Sequence, residues 1–348
     1  MPVNNETAVR DPSFPVGEAH GLPNRLSSVP ILLFHVHENC NSRGVMCDIW
    51  RRDGGREIDL QWLERQLPSI GRLGVKQVVL TGGEPLLHSR FKDLCLLLKV
   101  CGVRVTLLTT GLLLAKHAES VAESVDEIIL SLDGPAEVHD QIRRVKGAFG
   151  LMRDGIRAVR QHRPAMPAHA RTTIQKMNHR LLRQTVQAAH LLSLDSISFL
   201  AADVTSTAFN RDLVWPGEQL RQVVLTRKEV EELEEEIKAL VRENGDDFEK
   251  CFILESRKKL RGIPRRFREQ LGDFAPQAPL CNAPWVSAVI EVDGGIRPCF
   301  FHPKVGDASV IPLETAINSA TAVGFRNSLD VKNNLTCKNC VCSLNYKG

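Results

Sequence analysis

The chain has 348 residues, 43% of them hydrophobic and 25% charged, with a formal net charge of +4. That length buries a sizeable core and has room for two domains, while so mild a charge excludes a polycationic nucleic-acid binder. The opening segment, residues 1–30, carries Asn, Pro, Glu, Arg and Asp without a continuous apolar stretch. No later run approaches the roughly 18 apolar residues of a membrane span. The expectation is a cytoplasmic protein with a short N-terminal arm, bound to neither nucleic acid nor membrane.

Ten cysteines in such a chain point away from a disulfide framework, because the cytosol keeps thiols reduced. Their clustering points to metal or iron-sulfur ligation. In chain order, an apolar strand at residues 31–36 runs into a loop bearing Cys40 and Cys47. Asp59 caps a helix whose Leu60, Leu63, Leu67 and Ile70 recur at helical spacing. A strand at residues 77–80 then runs into the turn Thr81-Gly82-Gly83-Glu84-Pro85. Helices at 91–100, 115–124, 148–161 and 181–192 alternate with strands at 104–109, 127–132, 170–175 and 196–201. Six strand-helix units are too few for a closed eight-stranded barrel and suit right-handed crossovers in a parallel sheet. The fold class is therefore α/β, a partial barrel of six βα units, with both loops at the carboxyl ends of neighbouring strands.

Periodicity lapses over residues 203–217, which read as a connecting loop. Thr226 and Glu229 have the spacing of a capping box before a surface helix through Val230, Leu233, Ile237 and Leu240, with the acidic run at 231–236 as its solvated face. The basic cluster at 257–268 has no interleaved aromatics and is likewise read as a solvated helix face. From residue 280 the chain is short-stranded and Cys-rich, with a hairpin of 288–292 and 296–301 about the turn Asp293-Gly294-Gly295. The expected division is an arm at 1–29, a core at 30–205, linking helices at 206–279 and a small extension at 280–348.

The Cys40 loop and the Gly-Gly-Glu turn together resemble the radical SAM superfamily, whose mark is Cys-x3-Cys-x2-Cys followed by Gly-Gly-Glu-Pro. The resemblance implies a 4Fe-4S cluster on Cys40 and Cys47, with S-adenosylmethionine chelating the open iron and cleaved by an electron to a 5'-deoxyadenosyl radical that abstracts hydrogen from a substrate. It implies that Gly82, Gly83 and Glu84 hold the methionyl amine and that Met46 contacts adenine. The segment Ser131-Leu132-Asp133-Gly134 resembles the family's fourth strand, so Ser131 or Asp133 reaches the ribose or methionyl group; as a plain sequence, Asp133-Gly134 is equally a turn. One position departs from the pattern: Gly44 stands where the family has its middle cysteine. Glycine cannot ligate iron, so cluster binding and radical chemistry are expected to be impaired. His35, His37 and Asn41 lie near enough in sequence to be substitute ligands, although both histidines alternate with the apolar residues of the strand.

Cys281, Cys299, Cys337, Cys340 and Cys342 resemble the SPASM/Twitch extension of the same superfamily, which implies one auxiliary 4Fe-4S cluster on the first four, with Cys342 left over or competing with Cys340. A four-Cys zinc site is the alternative. Cys95 and Cys101 read as core residues, and Cys251 as an inert thiol or a hydrogen-atom donor. The family implies a small electron donor such as a ferredoxin or flavodoxin and an unassigned substrate, peptide or small molecule. A non-catalytic iron-sulfur or S-adenosylmethionine-binding scaffold is the competing reading.

Overall fold

The structure, a computed structural model, describes residues 23–209 and 215–347. Most of the expected N-terminal arm and part of the 203–217 loop lie outside those residues. Six parallel strands come first: β1 (Ile31–His37), β2 (Gln77–Gly82), β3 (Arg104–Thr109), β4 (Glu127–Ser131), β5 (Ala168–Ile174) and β6 (Ser196–Ala201). Each pairs with the next in sequence, as repeated βα units dictate. The intervening helices are α1 (Leu60–Arg72), α2 (Phe91–Val100), α3 (Ala118–Ser124), α4 (Ala136–Arg143), α5 (Ala148–His162) and α6 (Leu182–Leu191). Asp59 accepts from the Gln61 and Trp62 N–H groups to start α1, and Thr226 with Glu229 forms the capping box of the Arg227–Glu243 helix.

The strand alternation of β1 sets the polarity of the whole sheet. Leu32, Phe34 and Val36 are fully buried on one side, and His35 and His37 face the other, where the strand ends enclose a cavity.

The extension does not stand apart from this sheet. Its strands β7 (Ser287–Ile290), β8 (Gly295–Arg297) and β9 (Gly306–Asp307) complete a nine-stranded sheet in the order β6-β5-β4-β3-β2-β1-β7-β8-β9. The expected hairpin forms between β7 and β8, yet β7 also runs parallel to β1, Ile31 opposite Ser287 and Phe34 opposite Ile290. Strand β1, which leads into the Cys40 loop, is thus flanked on both sides. A second tie is polar: buried Gln66 on α1 donates to the Ile311 carbonyl at 3.2 Å and accepts from Leu313 N–H at 2.7 Å, while Trp62 Nε1 donates to the Ala308 carbonyl at 2.8 Å.

Two further helices are explained by packing. Helix α4 lies between the expected strand at 127–132 and the expected helix at 148–161; it is only eight residues long and follows Pro135, so it carries little periodic signal. The basic stretch is the Arg257–Gln270 helix, with Leu260, Ile263 and Phe267 buried and its cations spread among Glu234, Glu249, Glu255 and Glu269. Among the described residues no helix is long and apolar enough to cross a membrane.

Replacing Gln66 by Ala strands the Ile311 carbonyl and the Leu313 N–H without partners, a cost of about 2 kcal/mol or more. The Gln66→Ala chain should show a lower urea midpoint and new protease cleavage near residues 308–313; an unchanged midpoint would show that this tie does not hold the extension.

Candidate functional site

The Cys40 loop and the Gly-Gly-Glu turn are locked to each other through backbone. Gly83 N–H donates to the His37 carbonyl and Glu84 N–H to the Asn39 carbonyl, both at 2.8 Å. A Cβ on Gly83 would lie 2.0 Å from the Asn39 carbonyl oxygen, and Gly82 has φ +115° with His37 and His35 backbone within 3.0 Å of a Cβ. The two glycines are therefore required by the approach of the first loop. Glu84 is fully buried beneath them. One carboxylate oxygen accepts from Thr109 Oγ1 at 2.7 Å and Leu86 N–H at 3.1 Å, the other from Thr110 N–H at 2.8 Å and Thr110 Oγ1 at 2.7 Å. Burial pushes this carboxyl upward and those donors oppose the shift. Thr81, Gly82 and Gly83 face the cavity, and Glu84, expected at the amine, lies beneath the turn.

The far side of the Cys40 loop rests on the end of α4. Arg43 N–H and Val45 N–H donate to the Arg143 and Ile142 carbonyls, both at 3.1 Å, and so satisfy carbonyls that a helix C-terminus leaves open. Arg143 is anchored by Asp133 at 2.6 Å. Asp133 is fully buried, with burial raising its pKa against the pull of Arg143. It too is a support rather than a cavity-facing group, whereas Ser131 does line the cavity. The partner of Asp133 is provided by a helix that the sequence does not announce.

At position 44 the backbone lies outside the left-handed region, and a Cβ would meet Met46 Sδ at 3.0 Å and nothing else closer than 4.0 Å. The thioether is the movable end of a flexible side chain, so a cysteine is sterically admissible there. Cys40, whose thiol burial pushes up to about 12, and Cys47 line the cavity with Met46. His35 and His37 also line it, but His37 Nδ1 accepts from Asn39 N–H at 3.0 Å and His35 stacks on Phe300 with centroids 5.6 Å apart. Burial lowers the His35 pKa to about 4, so its ring is neutral. The cavity, of about 1090 Å³, is closed on its other side by the extension through Glu291, Phe300, Phe301 and Cys342.

The five extension cysteines are gathered into one neighbourhood, each of Cys281, Cys299, Cys337 and Cys340 sensing the charge of others in the set. Asn282 assembles it by donating its N–H to the Leu344 carbonyl at 2.8 Å and its Nδ2 to the Tyr346 carbonyl at 2.7 Å. Asn334 caps the short Leu335–Lys338 helix by accepting from Cys337 N–H. The sulfurs are neighbours without closing on one point; among the described residues no three His, Cys, Asp or Glu side chains stand at ligand distance of a common ion. His302, buried and with Nε2 at 3.4 Å from Cys337 Sγ, has no signal in the sequence and was not anticipated. Cys95 is core, Cys101 is half-buried, and Cys251 is exposed away from the cavity.

Residues 35–175 match the Radical SAM superfamily and residues 281–341 match SPASM, an iron-sulfur cluster-binding domain. The chain belongs to the radical SAM superfamily and carries a SPASM-type extension. Among curated proteins it resembles the probable GTP 3',8-cyclase of Methanocella arvoryzae, 35% identical over 138 residues, which are 38% of this chain and 43% of that protein. It also resembles the Fe-coproporphyrin III synthase of Methanosarcina barkeri, 25% identical over 155 residues, 43% of this chain and 38% of the other. The chain thus matches about two fifths of the length of these relatives. Among solved structures, Streptococcus suis SuiB bound to precursor peptide SuiA covers 92% of this chain and 73% of its own at a TM-score of 0.64. Native anSMEcpe with bound AdoMet and Cp18Cys peptide covers 92% and 94% at 0.63. Both are 16% identical, so the likeness is one of fold.

Two outcomes test this geometry. Gly83→Ala forces the Asn39 carbonyl aside and should cost about 3 kcal/mol or more in urea unfolding; a loss below about 1 kcal/mol would contradict the interlock. Glu291 is raised by burial, but hydrogen bonds from Lys304 and Arg297 outweigh this and hold it below the ordinary glutamate value. A carboxyl depressed by folding stabilises above its unfolded pKa and loses that contribution as pH falls through the folded one. The advantage of the native chain over Glu291→Gln at neutral pH should therefore shrink below about pH 4; an advantage that grows on acidification would refute the assignment.

Proposed function

We propose that this chain is an S-adenosylmethionine-binding radical enzyme by construction, with its auxiliary 4Fe-4S cluster intact and its radical cluster crippled at Gly44. The observation that supports this most is the shared cavity. Cys40, Met46, Cys47, Thr81, Gly82, Gly83 and Ser131 face it from the strand ends, and the extension closes it.

The auxiliary donor set suits its group: four thiolates are needed and five thiols are gathered in one place. The first set does not suit the family's cradle, since it has two thiols where three are required. In the superfamily that cluster supplies the electron which splits S-adenosylmethionine into methionine and a 5'-deoxyadenosyl radical, and here such cleavage is strongly reduced. The residues that remain still define a binding surface. In this reading the Gly82-Gly83 backbone receives the methionyl ammonium, Met46 packs on adenine and Ser131 offers a hydroxyl to the ribose or methionyl group. Glu84 and Asp133 position that surface from beneath.

The substrate enters from the extension side and is a peptide or a small molecule. The resemblance to a GTP cyclase and a porphyrin synthase supports a small anionic molecule, and the peptide-bound structural neighbours support a peptide. A small ferredoxin or flavodoxin is the electron donor in this reading. The competing reading is a non-catalytic scaffold, and Gly44 is the observation in its favour.

Anaerobic reconstitution separates the two. The chain as it stands should take up about four irons and Gly44→Cys about eight, with 5'-deoxyadenosine formed from S-adenosylmethionine and dithionite rising at least about tenfold in the substituted chain. A Gly44→Cys chain with no added iron and no 5'-deoxyadenosine would leave the scaffold reading in place.

A further inference from the structure

The turn that carries Cys299 sends its side chains two ways. Phe300 and Phe301 line the cavity, whereas His302 is buried and does not line it. Its ring stands edge-on to Phe325 of the Ala320–Ser328 helix, centroids 4.9 Å apart, and its carbonyl accepts from Arg297 Nη1 at 3.1 Å. Ring and backbone are thus held from separate directions. Among the described residues the one polar group that Nε2 meets is Cys337 Sγ, at 3.4 Å.

Backbone N–H groups serve the other thiols. Cys281 receives those of Ala283 and Leu344, Cys299 those of Phe301 and His302, and Cys340 that of Cys342. Among the described residues Cys337 has no such backbone donor, and the His302 ring stands in its place. A free thiol can give its own hydrogen to the ring, but a thiolate bound to iron only accepts, so Nε2 then carries the hydrogen. A buried ring nitrogen without a partner is costly, which keeps this contact in place. Four thiols already serve four irons, so the ring is not needed as a ligand.

We infer that His302 donates from Nε2 to the sulfur of Cys337 and by that hydrogen bond raises the reduction potential of the auxiliary cluster. The inference rests on the auxiliary-cluster reading above. Reduction adds negative charge to the cluster and its thiolates, and a donor aimed at one of those sulfurs stabilises the reduced state more than the oxidised one. The same residue gives its backbone N–H to Cys299. It therefore orients two of the four thiols and is a positioning residue.

The test sets the anaerobically reconstituted full-length chain beside two variants. His302→Phe keeps the ring volume and loses the donor, and His302→Gln places an amide N–H where Nε2 stands. Iron and acid-labile sulfide are counted, and the midpoint potential is read from the EPR signal of the reduced cluster in a mediated dithionite titration. The expected result is about four irons and four sulfides in all three proteins. The Phe chain should be harder to reduce by about tenfold in equilibrium constant, a shift of about 59 mV to the negative side for one electron, and the Gln chain should recover at least about half of it. An unshifted midpoint in a His302→Phe chain with its iron intact would overturn this inference alone. Iron lost from both variants would overturn it too, by showing a ligand or a purely structural group. A second measurement needs no variant: pulsed EPR of the native chain with isotope-labelled histidine rings should show a weakly coupled nitrogen. No coupling, or the strong coupling of a directly bound nitrogen, would contradict the hydrogen bond. Zinc in place of iron, or no iron and sulfide in the native chain, would refute the auxiliary-cluster reading itself and the inference with it.

Discussion

Everything at the mouth of this sheet depends on two backbone hydrogen bonds and the absence of two side chains. Gly83 and Glu84 donate to the carbonyls of His37 and Asn39, and that approach is closer than any residue with a Cβ permits. The interlock fixes where the Cys40 loop leaves β1. Glu84 secures it from below by taking four donors, one from Leu86 after β2 and three from Thr109 and Thr110 at the end of β3, and the α4 carbonyls secure the loop from the opposite side. The cradle is thus preorganised by protein contacts alone, which is what a site must be if its ligands are to be held in place. Its shape does not rely on a side chain at position 44, and that explains how Gly44 is compatible with an otherwise complete fold.

The extension is the second half of the same construction. Because β7 pairs with β1, the strand carrying the first thiols is also the strand against which the auxiliary thiols are hung. Phe300, next to Cys299, stacks on His35, and Cys342 opens onto the cavity. One continuous sheet therefore sets Cys40, Cys47 and the extension's Cys342 around a single chamber, with the paired charges of Glu291, Arg297 and Lys304 in its wall.

The parts of this arrangement legible in sequence are those encoded locally. Strands such as Ile31–His37 and Arg104–Thr109 are short apolar runs between turn signals, and the Cys40 and Gly-Gly-Glu loops follow them directly. The buried settings of Glu84 and Asp133 are not legible in sequence, where a carboxylate beside motif glycines looks like a ligand. Their burial depends on Thr109, Thr110 and Arg143, which local pattern does not connect to them. The pairing of β7 with β1 joins residues 31 and 287, and nothing in a hairpin pattern names its outside neighbour.

The central claim, proposed above, is that the protein offers two thiol sets of unequal competence, five thiols gathered in the extension and one ligand too few at Cys40 and Cys47. Iron anomalous scattering from crystals of the anaerobically reconstituted native chain measures this directly. The account predicts a strong peak of four-iron size enclosed by Cys281, Cys299, Cys337 and Cys340 and at most a weak one between Cys40 and Cys47. A peak of equal strength at Cys40 and Cys47 would contradict it, because some group other than a cysteine at position 44 would then be completing the radical cluster.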